Sequence, residues 1–287
     1  MTKPWSFRAE FKFSSDGNFK PIRLAMKRRD LLLGGPAVVG ALLTGGAAAA
    51  YADDAAPVWT YEPLDGAETA QRAYDLYSDG SCMYAAFRSI VGLVGERRVA
   101  KHAGESAQWN GFPYYMMKYG KGGVHDYGSL CGILNGCAAA IALFVTEKKD
   151  AARMTHDLFN YYESTELPIF VPAETKFGEI PTSLSESVLC HISVTRWAVE
   201  ADETAESPRR KERCKRLVGD LTAKTVEMLN SYFAAGKKCP ARDETAWAGP
   251  ASGCVECHNP EGSRPQVNVK MNCAPCHGDM PPGHGME

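Results

Sequence analysis

Ser129-Leu130-Cys131-Gly132-Ile133-Leu134-Asn135-Gly136-Cys137-Ala138-Ala139-Ala140-Ile141-Ala142-Leu143-Phe144-Val145 is almost wholly apolar and rich in alanine. A run with no polar face predicts a helix buried on all sides. Its stretch from Cys131 to Val145 is too short to cross a bilayer. A buried helix needs other helices around it, and the flanking sequence supplies their patterns. Ala70, Ala73, Tyr74 and Tyr77 recur at helical spacing until Gly80, and Cys82, Ala85, Ala86, Ile90 and Leu93 resume it. Residues 150–163 predict an amphipathic helix. Ser183-Leu184-Ser185-Glu186 carries a capping pattern, predicting a helix through Cys190-His191 to about Ala201 with Cys190 in its middle. A last helix is expected from Arg210 to about Ala234, closed by Gly236. β-branched alternation is scarce, so the expected class is all-α: a helical bundle.

From Pro240 the composition shifts to Pro, Gly and Asn, and periodicity fades. This irregular tail holds Cys254-Val255-Glu256-Cys257-His258 and Cys273-Ala274-Pro275-Cys276-His277. Each Cys-x-x-Cys-His run reads as a c-type haem attachment site. The thiols Cys254, Cys257, Cys273 and Cys276 bond the haem, and His258 and His277 supply proximal nitrogens to iron. Two haems c are therefore expected, close together. Without the histidines the same four cysteines have zinc-ribbon spacing, so a zinc-stapled binding protein is a competing reading.

The N-terminus carries Met26-Lys27-Arg28-Arg29-Asp30, an apolar run over Leu31–Ala50, and Ala50-Tyr51-Ala52 before Asp53. This reads as a twin-arginine signal peptide over residues 1–52, with Met26 as an alternative start. It implies a periplasmic protein with no stable membrane anchor after cleavage. The expected division is signal 1–52, helical redox domain 53–239 and dihaem tail 240–287. The 32 basic and 34 acidic residues fall to 24 and 31 once residues 1–52, with eight and three, are set aside. The resulting charge of −7 excludes a nucleic-acid footprint and suits a redox protein partner.

Six further cysteines are Cys82, Cys131, Cys137, Cys190, Cys214 and Cys239. Export makes disulfides the default reading. Cys82, Cys131, Cys190 and Cys214 come from four helical patterns and could instead converge on an Fe–S cluster or zinc. Cys131 stands at a helix N-terminus, which favours a thiolate.

The stretch Gly128-Ser129-Leu130-Cys131-Gly132-Ile133-Leu134-Asn135-Gly136 resembles, from Cys131, the Cys-Gly-Ala-x-x-Gly signature of the redox-active C_GCAxxG_C_C family. Cys82 matches its upstream cysteine, and Cys190 and Cys214 its two later ones; the resemblance spans about residues 70–235. A branch with paired C-terminal haem motifs, the split-Soret cytochromes c, has the same layout. The resemblance implies a helical homodimer, two stacked haems per subunit and an Fe–S cluster on Cys82, Cys131, Cys190 and Cys214. Ile133 replaces the signature's small residue, and Cys137 and Cys239 are additional.

Each haem needs a sixth ligand. His191 is the first candidate distal ligand, because neighbours on a helix point about 100° apart, letting Cys190 face a cluster and His191 a haem. His125 and His284 follow. Met271 and Met280 are sulfur rivals, while His156, on the amphipathic helix, is expected to be solvated. The expected function is extracytoplasmic electron transfer without catalysis. A haem-based reductase or peroxidase with one open axial site is the enzymatic alternative.

Overall fold

The computed structural model describes residues 59–240, Cys254, His258 and residues 270–278. The expected signal peptide, Cys257, Met280 and His284 lie outside the described residues. The described chain is all-α apart from one two-residue strand pair and an isolated bridge. The elements are α1 (Gly66–Lys101), α2 (Ser106–Asn110), α3 (Gly132–Phe144), α4 (Lys148–Ser164), β1 (Glu166–Leu167), β2 (Ser183–Leu184), α5 (Cys190–Glu200), α6 (Pro208–Ala234) and α7 (Ala274–His277). Short 3-10 turns occupy Ala103–Glu105 and Tyr114–Gly120. No described helix is long and apolar enough to cross a membrane.

α1 is the spine, and both α6 and α3 pack along it. Asp65 caps it by accepting from the Glu68 N–H at 2.8 Å, which satisfies one of the first-turn donors. The helix is interrupted at Ser81, whose φ of 65° is non-helical. The break therefore falls one residue beyond Gly80, and it turns Cys82 into the core, where it is 7% exposed. Upstream, Asn230 of α6 clasps the chain entering α1. Its Oδ1 accepts from Tyr61 Oη at 2.8 Å and Leu64 N at 3.2 Å, and its Nδ2 donates to Leu64 O at 2.8 Å.

α3 is the buried helix that its composition requires. Ile133, Leu134, Cys137, Ala140 and Ile141 are all at most 1% exposed, and each large aliphatic chain contributes about 1.5–3 kcal/mol by leaving water. Close approach to α1 demands small residues. A Cβ on Gly136 would sit 2.6 Å from Met83 O and 3.0 Å from Ala86 Cβ. α6 begins with Ser207, which accepts from Arg210 N at 3.1 Å, and with Pro208 in the first turn. Ser207-Pro208 is thus a helix start.

The structure corrects the expected α5. Ser183–Leu184 pairs antiparallel with Glu166–Leu167, and the helix starts only at Cys190. The serines serve a turn instead: Ser185 Oγ donates to Ser187 O at 2.8 Å, and Leu189 N donates to Ser187 Oγ at 3.2 Å. Such local bonds compete with helix formation.

Candidate metal centre

Cys131 and Cys190 are brought together by backbone pairing. Leu130 and Leu189 form an antiparallel bridge. Beside it Cys131 N donates to Val188 O at 2.8 Å, Cys190 N to Ser129 O at 2.7 Å and His191 N to Gly128 O at 3.2 Å. Cys190 therefore occupies the first turn of α5, not its middle as the sequence suggested.

Cys82 arrives from the kink in α1. A Cβ on Gly132 would lie 2.9 Å from Cys82 Cβ and 2.2 Å from Gly120 O, so the three segments meet at that glycine. Cys214 completes the group from the second turn of α6. Burial raises the Cys82 thiol to about 12, helped by the neighbouring Cys214 and Cys131 sulfurs. Burial likewise pushes Cys190 far up, with Cys131, Cys214 and Cys82 adding to it. The four sulfurs thus share one electrostatic environment.

Cys131 does not keep a lowered pKa from its helix N-terminus. The N–H groups of Ile133 and Leu134 pull it down, but burial outweighs them and the thiol is raised. Ile133 itself points into the main core at 1% exposure.

Four groups that the sequence did not single out surround these thiols. Tyr77 Oη lies 3.6 Å from Cys82 Sγ. The Gly122 N–H also faces that sulfur, presented by a left-handed turn in which Gly122, Gly123, Val124, His125 and Asp126 all have positive φ. Val124 in that conformation is strained, the kind of strain that collects at functional sites. Arg213 Nη1 is 4.0 Å from Cys214 Sγ, and Arg210 is within hydrogen-bonding reach of the same sulfur. The position of Arg213, one residue before Cys214, was a readable signal.

The donor set fits a thiolate-bound iron centre. Four soft sulfurs face one another, those of Cys82, Cys131 and Cys214 buried and that of Cys190 half-buried. Arg213 is 2% exposed there, and its Nε has no hydrogen-bond partner. Its Nη2 donates to Ser193 Oγ at 2.8 Å, and a buried cation with one nitrogen left unpaired is costly, a cost that negative charge on the neighbouring sulfurs would lower. Among the described residues, no three His, Cys, Asp or Glu side chains already stand at metal-ligating spacing. The thiols are a converged nest, not a closed coordination sphere. All nine described cysteines are free, so none of them forms the disulfides that export suggested. Cys137 is fully buried, its Sγ 3.8 Å from Leu221 O, and burial raises Cys239 to about 11.

The residue before the second Cys-x-x-Cys-His motif docks beside this nest. Asn272 Nδ2 donates to Glu186 O at 3.0 Å, two residues before the Val188 carbonyl that holds Cys131. The second motif forms a single helical turn, with His277 N donating to Cys273 O at 3.0 Å; in the first, His258 N donates to Cys254 O, also at 3.0 Å. Positions i, i+3 and i+4 of such a turn share a face, so the two thiols and the imidazole of the second motif project together. Cys276 and His277 are exposed, open to a prosthetic group. Burial raises the Cys273 thiol, and Cys254 beside it adds to the effect, so the two motifs adjoin.

Of the candidate distal histidines, His191 is exposed while Cys190 is turned toward the other thiols. Its Nδ1 is 3.1 Å from Gly128 O, which leaves Nε2 directed away from that carbonyl. His125 is exposed in the left-handed turn three residues from Gly128, so both candidates occupy the same corner of the bundle. His156, expected in water, is buried at 8% exposure with Asn160 Nδ2 3.0 Å from its Nε2.

Residues 107–228 match the model of the family described as "Putative redox-active protein (C_GCAxxG_C_C)". The chain is 40% identical to the split-Soret cytochrome c of Desulfovibrio desulfuricans over 271 residues, which cover 87% of this chain and 94% of that protein. A solved structure of split-Soret cytochrome c from Desulfovibrio desulfuricans, reported for its novel iron centre, superposes with a TM-score of 0.66. It has 38% identity and covers 77% of this chain and 91% of that one. The thiol nest, the adjoining Cys-x-x-Cys-His turns and these likenesses agree: the chain belongs to the split-Soret cytochrome c family and is a redox cytochrome.

Proposed function

We propose that the protein is an exported electron carrier with two haems c on the C-terminal motifs and an Fe–S centre on Cys82, Cys131, Cys190 and Cys214. The observation that carries this reading is the docking of Asn272, next to Cys273, on the same Glu186–Val188 segment that fixes Cys131. Two redox sites joined by a few residues suit a relay. Haem and cluster supply one-electron chemistry when bound. The chain's own part is positional. Tyr77 and Gly122 aim donors at Cys82, and Arg210 and Arg213 offset negative charge at Cys214. The buried walls exclude water. His191 would supply the distal nitrogen to a haem, with His125 the second candidate and His284 the third. Export by the twin-arginine route to the periplasm, a homodimer and an external redox protein complete the reading.

The test is anaerobic purification followed by haem, total iron and acid-labile sulfide on one sample. Iron is expected in excess of haem. Cys131→Ser should remove the excess and leave the haem. Iron equal to haem in the wild type would refute the cluster. A second reading draws on the proximity of the Cys254 and Cys273 thiols, which also suits a zinc staple; a chain with zinc and no Soret band would establish it. Stoichiometric carbon monoxide binding to the reduced protein would favour the reductase or peroxidase alternative.

A further inference from the structure

Glu163 lies in the last turn of α4 and is unused by the thiol nest and the haem motifs. It is 4% exposed. Two backbone N–H groups face its carboxyl: Asn272, the residue before the second Cys-x-x-Cys-His motif, and Val188, from the segment that holds Cys131. Its Oε1 is buried with no hydrogen-bond partner. Both groups that oppose the effect of its burial are backbone N–H donors and neither is a charged side chain. On the neighbouring elements, Glu186 is paired with Arg196 at 2.5 Å, Tyr162 Oη donates to Ser193 Oγ at 2.6 Å, and Cys190 and Cys273 face other thiols. A carboxyl with one oxygen unpartnered is thus buried between the segment that holds Cys131 and the residue that precedes the second Cys-x-x-Cys-His motif.

Such placement is expensive for a charge and cheaper for a neutral acid. A structural clamp would be served as well by glutamine, whose carbonyl accepts the same two N–H groups. A titratable group there gains a purpose if charge beside it changes. We propose that Glu163 is a redox-linked proton acceptor for the second Cys-x-x-Cys-His motif, binding a proton when an electron arrives there and releasing it when the electron leaves. The proposal rests on the reading that this motif holds haem. In each cycle an external one-electron reductant delivers one electron to the metal held by His277. One proton passes from solvent to Glu163 Oε1, forming the O–H bond. The local charge is unchanged, and oxidation reverses both transfers.

Physical chemistry gives the direction. An added electron disfavours a nearby carboxylate and raises its pKa further, in a medium where the interaction is strong. Burial already raises Glu163, and the Asn272 and Val188 N–H groups only partly oppose this. The swing therefore starts above the ordinary carboxylate range. Met271, Asn272 and Cys273 are half-buried, which gives water a short route to the site.

The experiment is a spectroelectrochemical titration of the full-length haem-loaded protein across a pH series, with haem quantified on the same samples. The wild-type potential should fall as pH rises through the Glu163 range. Glu163→Gln should keep its haem and lose that part of the slope, and Glu163→Asp should restore a slope. Redox-difference infrared spectra of the wild type give an independent readout: a protonated carboxyl band should grow on reduction and shift in heavy water. An unchanged slope in haem-replete Glu163→Gln, or no such band in the wild type, would overturn the proposal. A purified protein without haem would instead overturn the haem reading beneath it.

Discussion

Gly132 and Gly92 both lie in helices, and the same substitution should act on them with opposite sign. At Gly132 an added Cβ falls 2.2 Å from Gly120 O and 2.9 Å from Cys82 Cβ. Neither neighbour is the free end of a flexible side chain, so the 3-10 turn and the kinked helix must both give way. Overpacking of this kind costs about 1–3 kcal/mol, and a gain of at most ~1 kcal/mol in helix propensity opposes it. With a backbone oxygen at 2.2 Å the cost falls in the upper part of that range, about 2–3 kcal/mol, so the net loss should be about 1–2 kcal/mol. For a chain of this size that lowers Tm by roughly 2–8 °C, at about 2–4 °C per kcal/mol. At Gly92 the nearest atom to a new Cβ is Arg88 Cγ at 3.8 Å, an ordinary contact. Gly92→Ala should therefore stabilise by up to ~1 kcal/mol and raise Tm by roughly 2–4 °C. Thermal unfolding followed by far-UV circular dichroism on matched preparations, with iron counted per chain, measures both. Gly132→Ala should also lose iron, and Gly92→Ala should not. A Gly132→Ala protein as stable as the wild type would mean that α3 does not approach Cys82 and Gly120 as closely as described.

Tyr77→Phe removes the hydroxyl 3.6 Å from Cys82 Sγ. Losing a donor to a sulfur ligand destabilises the reduced centre and should lower its potential by on the order of tens of mV, read by EPR-monitored redox titration with iron content unchanged. Asp220 accepts from Ile169 N and Phe170 N at 3.1 and 2.7 Å, while burial lifts its pKa from 3.8 to about 7. Between those values the unfolded chain has lost a proton that the folded one keeps. The contribution of Asp220 to stability is therefore intact below about pH 4 and lost as pH rises towards 7, at up to ~1.4 kcal/mol per pH unit. Denaturant titrations of Asp220→Asn should show a flatter pH profile over that window. His191→Ala should convert one haem from six-coordinate low-spin to high-spin in the optical spectrum; two unaltered low-spin haems would eliminate His191 as a distal ligand.

The sequence was most legible where burial and period coincide. The apolar 129–145 run predicts α3 directly, and the Gly80 break anticipates the Ser81 kink within one residue. The four nest cysteines were individually visible, but their convergence depends on pairings between distant segments that no local pattern encodes. The expected helix start at Ser183 failed for that reason. A serine followed three residues later by glutamate satisfies a capping rule locally, yet pairing with Glu166–Leu167 and the Ser185–Ser187 turn prevails. The amphipathic pattern of its helix predicts a solvated His156, but packing buries it. Glu163 left no sequence signal, because a helix-terminal glutamate is ordinarily exposed; only the docking of Asn272 makes it unusual.

The bridge between Leu130 and Leu189 has a consequence for tolerance to change. It sets the separation of the Cys131 and Cys190 α-carbons by the metric of a hydrogen-bonded backbone ladder. Main-chain geometry is the same whatever residues surround it, whereas a spacing set by interdigitating side chains drifts with every change of volume. Half of the thiol nest is thereby gauged by a ruler that mutation of the neighbouring core leaves at full length, so the helices can exchange side chains over evolutionary time while these two sulfurs keep their interval.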